Sequence, residues 1–223
     1  MYEELKTGRL YDLRYTLASS LLEGCEYPWQ ALAGIRAFIE ALGPTLPADE
    51  YDNPRPGVWL HKTAKVAPTA FIGDWVIIGP ETEVRHCAFI RGSALVGGGA
   101  VVGNSTELKN VILFDRVQVP HYNYVGDSIL GYKSHMGAGS ITSNVKSDKT
   151  LATVSIGGER VATGLKKFGA MLGDTVEVGC GSVLNPGTVV GLNTNIYPLS
   201  MVRGYVPANS IYKKRGEVVE KQG

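Results

Sequence analysis

The feature that most constrains this 223-residue chain is a beat of six. Aliphatic residues fall at Val66, Ile72, Ile78, Val84, Ile90, Val96, Val102 and Leu108, and small or β-branched residues follow four places later at Thr82, Ala88, Ala94, Ala100 and Thr106. After two five-residue slips the beat continues at Leu113, Val119, Val125, Leu130, Met136 and Thr142, and it resumes from Leu172 through Val178, Leu184, Val190 and Ile196 to Val202. A period of six is neither the 3.6 of a helix nor the 2 of a strand. It is the hexapeptide signature of a parallel β-helix, in which one repeat cannot bury its own apolar face and coils must stack. Three hexads close a three-sided coil, so residues about eighteen apart stand above one another at ~4.8 Å, and sequence distance becomes a map of the surface.

The expected fold is therefore mainly β, with the solenoid over 58–213. Residues 9–23 place Leu10, Leu13, Leu17, Leu21 and Leu22 on one helical face before Gly24, and a second helix is expected from Pro28 to Leu42, ended by Gly43-Pro44. With the Pro- and Asp-rich linker that follows, this pair makes an N-terminal unit over 1–57. The beat breaks between about 145 and 169, where TLATVSI and ERVAT flank Gly157-Gly158, a hairpin signal, so an arm or lid is expected there. Residues 214–223 read as a tail.

A net charge of +1 with dispersed Lys and Arg gives no basic field for nucleic acid. No stretch reaches the ~20 apolar residues of a membrane span, and Glu3 and Glu4 stand where a signal peptide would be basic, so a cytoplasmic protein is expected. The three cysteines, Cys25, Cys87 and Cys180, lack CxxC spacing and read as reduced thiols.

The coil arithmetic stacks His86, Asn104 and His121 on one side and Arg91 over Lys109 on the next. Two cations one strand spacing apart repel unless an anion sits between them, which suggests a phosphate or carboxylate site. Plain solvated surface remains the alternative for that pair, and an interface hydrogen bond the alternative for His121. Tyr124 and Asp127 add polar groups on the His121 arc. His86 and His121 lie two coils, ~10 Å, apart, too far to share a zinc at ~2.0–2.1 Å bonds within one chain. Ligation between subunits near His135 would be needed, as in the γ-class carbonic anhydrases.

The strings AFIR, VGNSTELKN, VPHYNYVGDS, MGAGSITSN, MLGD and VEVG together resemble the acetyltransferase half of the bifunctional UDP-N-acetylglucosamine pyrophosphorylase/glucosamine-1-phosphate N-acetyltransferase, over about 66–144 and more loosely 165–213. The resemblance implies a left-handed β-helix, a homotrimer and acetyl-coenzyme A as acyl donor. It places His121 as the catalytic base, Arg91 and Lys109 on the sugar phosphate, Glu107, Tyr124 and Asn144 around the sugar and its amine, and Lys167 at a further substrate contact. Ala138 falls where a backbone N–H meets the thioester oxygen, and Cys180 and Pro198 fall beside the coenzyme, where the family has Ser and Ala. The family's Asn-Tyr-Asp-Gly is Asn144-Val145-Lys146-Ser147 here, and an Asn before Gly-Ala-Gly is His135. The implied function is N-acetylation of an amino-sugar phosphate or sugar nucleotide, with no metal or redox cofactor. The helices precede the solenoid where that family carries its pyrophosphorylase domain, so pyrophosphorylase activity is not expected. A non-catalytic sugar-phosphate-binding or regulatory trimer and an interface-metal enzyme are the alternatives.

Overall fold

The computed structural model describes residues 2–221 and shows a parallel β-solenoid with three faces. The first face stacks Lys65–Val66, Glu83–Val84, Val101–Asn104, Gln118–His121, His135–Met136, Glu177–Val178, Asn195–Ile196 and Ser210–Lys214. The strands Phe71–Ile78, Phe89–Val96, Glu107–Leu113 and Tyr124–Leu130 bend through a corner, so that their first halves form the second face and their second halves the third. Higher up, Ile141–Thr142, Val183–Leu184 and Met201–Val202 continue the second face, and Ala170–Leu172, Thr188–Val190 and Tyr205–Val206 the third.

The residues of the beat point inward. Ile78, Val84, Ile90, Val96, Val102, Leu108 and Leu113 are fully buried, whereas Val66, with no complete coil below it, is 36% exposed. The small residues four places on line the corners from within. Thr82 Oγ1 donates to the Gly97 carbonyl at 2.6 Å and Thr106 Oγ1 to the Val119 carbonyl at 2.9 Å, which satisfies groups that the sharp turns leave unpaired.

Both ends of the solenoid are closed by antiparallel strands. At the bottom Tyr51–Arg55 pairs with Val58–His61, so the expected linker is in part a strand. At the top Glu217–Glu220 folds back on Ser210–Lys214, so the expected tail is in part a hairpin, with residues 222 and 223 outside the described residues. Each strand removes an open edge that could recruit another chain.

The N-terminal segment differs from the expected pair of helices. The single helix expected over 9–23 is instead a set of short turns and helices, Glu3–Leu5, Thr7–Leu10, Leu13–Tyr15 and Ser19–Glu23. The solenoid takes its backbone: Asp174 N–H donates to the Leu10 carbonyl at 3.0 Å and Asp115 N–H to the Tyr15 carbonyl at 2.9 Å. Those carbonyls would otherwise accept helical bonds, so docking overrides the amphipathic pattern. The second helix starts as a 3-10 run over Pro28–Ala33 and turns α-helical only over Ile35–Leu42. This layer covers the third face, whose outward residues Ile77, Leu95, Ile112, Ile129, Met171 and Val189 are at most 1% exposed. Tyr11 packs against Phe114 with the rings tilted and donates to the Ile129 carbonyl, and burial pushes its phenol well up. Among the described residues, no helix is long and apolar enough to cross a membrane.

The dock contains a titrating latch. Asp174 accepts the Asp12 N–H on Oδ2 and the Tyr132 N–H on Oδ1, each at 2.7 Å. Burial nevertheless pushes its carboxyl up from 3.8 to about 6, against the pull of those two donors. Between these values the folded chain binds more protons than the unfolded one. The stabilisation from this group is therefore full below pH 3.8 and lost as pH rises through about 6. Asp174→Asn should flatten that slope in thermal melts recorded from about pH 4 to 7, and lower the midpoint throughout because its amide nitrogen faces one of the two donors. A slope unchanged by the substitution would assign it to other carboxylates.

Candidate active site

Two columns of functional groups run up the solenoid, one on each edge of the second face. The first stands at the corner between first and second faces. There the residue following the column is left-handed on successive coils: Cys87, Ser105, Tyr122, Gly139, Gly181 and Leu199 have φ between +52° and +70°. For non-glycine residues this costs roughly 1–2 kcal/mol each, which the stacked coils impose. The residues just before them are His86, Asn104, His121, Ala138, Cys180 and Pro198. A ladder joins them, with N–H groups of Tyr122, Gly139, Gly181 and Leu199 donating to the carbonyls of Asn104, His121, Ala138 and Cys180 at 2.9–3.0 Å. The candidate base and all three candidate coenzyme contacts thus share one edge, with Pro198 three coils, ~14 Å, above His121.

The middle of this column is tied from inside by Asn123. Its Oδ1 accepts the His121 N–H at 3.1 Å, while its Nδ2 donates to the carbonyls of Gly137 at 2.9 Å and Ser140 at 3.1 Å. One buried amide therefore fixes the His121 turn against the Ala138 turn. The His121 side chain is exposed, and among the described residues the Ala138 N–H has no hydrogen-bond acceptor. A base and an unused donor lie on adjacent coils.

The second column stands at the corner between second and third faces. Its centre is Asp127, a carboxylate with 4% of its side chain exposed. Lys109 Nζ donates to its two oxygens at 2.9 and 3.1 Å, Asn110 Nδ2 to Oδ1 at 3.0 Å, and Asn144 Nδ2 to Oδ2 at 2.5 Å. Asn144 also donates to the Tyr124 hydroxyl at 3.2 Å. That hydroxyl folds over Gly126, where a Cβ would lie 2.5 Å from it. Burial first, then the Asp127 and Glu107 carboxylates, push the Tyr124 phenol up. One coil below Lys109, Arg91 pairs with Glu107 at 2.8 Å. Lys167 is exposed at the exit of the arm, next to Phe168, whose N–H donates to the Asn144 carbonyl at 2.9 Å.

The structure corrects one step of the coil arithmetic. Arg91 does not stack on Lys109, because a bulge between Ile90 and Gly92 sets Gly92 opposite Lys109. Each cation already has its own carboxylate, so their mutual repulsion does not call for an anion. Lys109, Asn110, Asn144 and Tyr124 still form one network around Asp127, and Arg91–Glu107 is a separate pair on the coils below it. His86 shares Nδ1 with Thr69 Oγ1 at 2.9 Å, and His135 shares Nδ1 with Glu177 Oε2 at 2.8 Å. Among the described residues, no three His, Cys, Asp or Glu gather as a metal-binding group. The reading of individual residues passed over Asn123 and treated Asp127 only as a neighbour of His121. The signal for Asn123 was a large amide at an inward corner position that Ala88, Thr106, Ser140, Ser182 and Ser200 fill with small residues.

No protein-family profile matches the chain. The bifunctional protein GlmU of Methanococcus vannielii is 30% identical over 227 residues, covering 94% of this chain and 53% of that protein. A bifunctional sugar-1-phosphate nucleotidylyltransferase/acetyltransferase of Sulfurisphaera tokodaii is 31% identical over 109 residues, covering 49% of this chain and 27% of that protein. The chain thus spans about half the length, or less, of these curated relatives. Among solved structures, a hexapeptide transferase family protein from Anaplasma phagocytophilum superposes with a TM-score of 0.50 at 17% identity, covering 74% of this chain and 80% of that one, a likeness of fold. Repeat, coil geometry and relatives agree: over most of its length the chain is similar to about half of a bifunctional GlmU protein, and its β-helix has the fold of a hexapeptide transferase family protein.

Proposed function

We propose that the protein transfers an acetyl group from acetyl-coenzyme A to the amine of an amino-sugar phosphate or sugar nucleotide. The observation that carries this reading is the first column, in which His121 lies one coil below the unused Ala138 N–H and on the same edge as Cys180 and Pro198. The Sulfurisphaera relative, named a bifunctional sugar-1-phosphate nucleotidylyltransferase/acetyltransferase, supports it. A coenzyme is long and thin, and a solenoid edge is a long, thin site.

The chemistry follows from the groups present. The sugar amine attacks the thioester carbonyl carbon and forms the C–N bond. His121 takes the proton that the amine must lose, and the oxyanion of the tetrahedral intermediate accepts the Ala138 N–H. When the C–S bond breaks, the proton on His121 passes to the leaving sulfur, so the base is regenerated. On the second column Tyr124, Glu107 and Asn144 orient the sugar, Arg91 and Lys109 meet the phosphate where the acceptor is a sugar phosphate, and Lys167 approaches from the arm.

Within one chain the two columns sit on opposite edges of the second face, so a site that uses both is best completed by the adjoining chain of a homotrimer. The second face supports this with exposed Phe71 and Phe89 rings 5.5 Å apart and an exposed Met201. Sedimentation at micromolar concentration should give three times the chain mass; a monomer would reject the shared site. A cytoplasmic location accords with the supply of acetyl-coenzyme A. The test of the function is coenzyme A release, with amine acetylation confirmed by mass, on glucosamine 1-phosphate and on UDP-linked amino sugars. If no amine supports turnover while sugar phosphates still bind, the chain is a binding protein.

A further inference from the structure

The segment 145–169 is not a projecting lid. Its hairpin, Thr153–Ile156 against Glu159–Ala162, lies along the second corner directly above the Asp127 network. Two glycines of the solenoid admit it. A Cβ on Gly187 would lie 2.3 Å from the Thr153 carbonyl oxygen, and one on Gly204 would lie 2.6 Å from that of Ser155; both glycines are left-handed, at φ +83° and +78°. Ala152 and Val154 are buried beneath.

At the base of this hairpin is a cleft of about 230 Å³, walled by Lys146, Arg160 and Arg203 with Asp148, Thr153 and Ser155. Its charge balance is unlike that of the network below, where Arg91 and Lys109 each have a carboxylate. In the cleft, Asp148 is matched by Lys146 at 3.4 Å. Arg160 and Arg203 form no ion pair among the described residues, and the Arg203 guanidinium reaches only Asn185 Oδ1, at 3.5 Å. The carboxylate next to Arg160 in the chain, Glu159, is engaged by the Tyr2 hydroxyl. Two unpaired guanidiniums facing one cleft, with two hydroxyls beside them, fit phosphate oxygens.

The cleft is below the ~300 Å³ at which pockets hold a whole ligand. It adjoins a second cavity of about 560 Å³ that shares Ser155 and Arg203 and is walled by Met201, Tyr205, Tyr212 and Val218. The coils carrying Asn185 and Arg203 stand one and two levels above that of Thr142, ~5–10 Å over Asn144, the uppermost residue of the sugar network. A diphosphate on the anomeric carbon would rise over that interval, with its nucleoside passing into the larger cavity.

We propose that this cleft holds the diphosphate of a nucleoside diphosphate sugar, so that the acceptor is a sugar nucleotide and not a sugar monophosphate. The fate of the amine rests on the acetyltransferase reading, but binding of the nucleotide does not. Coenzyme A also carries a nucleoside diphosphate. The residues assigned to it line the other corner, across the second face, and the cleft is therefore assigned to the acceptor.

Calorimetric titration of the full chain with UDP, GDP, inorganic pyrophosphate, glucosamine 1-phosphate and coenzyme A tests this, with Arg160→Ala and Arg203→Ala beside the parent. Both arginines are exposed and free of ion pairs, so the variants should melt as the parent does. Each substitution is expected to weaken binding of at least one nucleoside diphosphate tenfold or more, and pyrophosphate in parallel, while glucosamine 1-phosphate and coenzyme A change less than twofold. No measurable binding of UDP, GDP or pyrophosphate would overturn the assignment, as would affinities untouched by both substitutions. Competition of coenzyme A with UDP, lost in the same variants, would overturn it by giving the cleft to the coenzyme. Nucleoside diphosphate binding that follows the arginines, without acetylation of any amino sugar, would uphold the cleft and reject the transferase reading. Turnover on glucosamine 1-phosphate alone, indifferent to both arginines, would do the reverse.

Discussion

His121→Ala is expected to lower acetyl transfer by about 10²–10⁴, the range for a positioned general base, with coenzyme affinity and assembly unchanged. The structure gives a reason to expect so clean a loss. His121 is placed by its backbone: its N–H is held by Asn123 and its carbonyl by Gly139. Its ring has no protein partner among the described residues, so truncation removes the imidazole and leaves the corner intact. His86→Ala and His135→Ala should cost far less, since these rings already share a nitrogen with Thr69 and Glu177 and neither is adjacent to the Ala138 N–H. Single-turnover measurement of coenzyme A release separates the effect on chemistry from that on binding. Near-parent rates in the His121 variant would reject the mechanism, and zinc bound by the parent but lost with His121 would favour an interface metal instead.

The beat made the solenoid legible because it records only which residues point inward, and inward residues obey one rule, apolar and close-packed. For the same reason it brackets the register slip without fixing the outward residues that face each other across it. From the aliphatic positions the first slip falls between Leu108 and Leu113, and the strands place it at the start of that interval, where Arg91 bulges opposite Lys109. A bulge moves outward residues without disturbing the inward ones on either side. The inferred repulsion of two cations was an outward-facing claim, and it failed there.

The cover on the third face was legible but unread. The runs VII at 76–78, ALV at 94–96, VIL at 111–113 and AML at 170–172 are apolar without alternation, the mark of strands buried on both sides. The other two faces alternate. Residues 9–23 show the opposite: the leucine spacing was helical, but the peptide groups went to Asp115 and Asp174, partners a hundred or more residues away that no local pattern reports. At the site, the identities of His121, Tyr124 and Asn144 could be read from motif strings. The role of Asp127 could not, because it depends on Lys109 and Asn110 arriving from the coil below and Asn144 from the coil above. The hairpin was visible in Gly157-Gly158, but its docking depends on Gly187 and Gly204, which lie beyond it in the chain.

Lys109→Ala should be the most destabilising single change in the second column. It removes the one cation paired with Asp127 among the described residues and leaves a nearly buried carboxylate with two amide donors. Breaking a buried ion pair from one side costs about 3–5 kcal/mol, and because Lys109 retains 25% exposure the expected loss is about 2–4 kcal/mol. For a chain of this size that lowers the melting midpoint by roughly 4–16 °C. A fall in sugar-phosphate affinity in this variant would therefore not identify a phosphate contact, since the Asn144 and Tyr124 positions would move with Asp127. The double change Lys109→Met with Asp127→Asn removes both charges and keeps the lysine stem, so it should recover most of the stability, with a coupling of about 1–3 kcal/mol in the cycle. If the double variant folds like the parent but binds glucosamine 1-phosphate tenfold or more weakly, while coenzyme A binding is retained, Lys109 meets the ligand. If its affinity is that of the parent, the Lys109–Asp127 pair is a strut that shapes the Tyr124 and Asn144 positions, and the phosphate is held elsewhere.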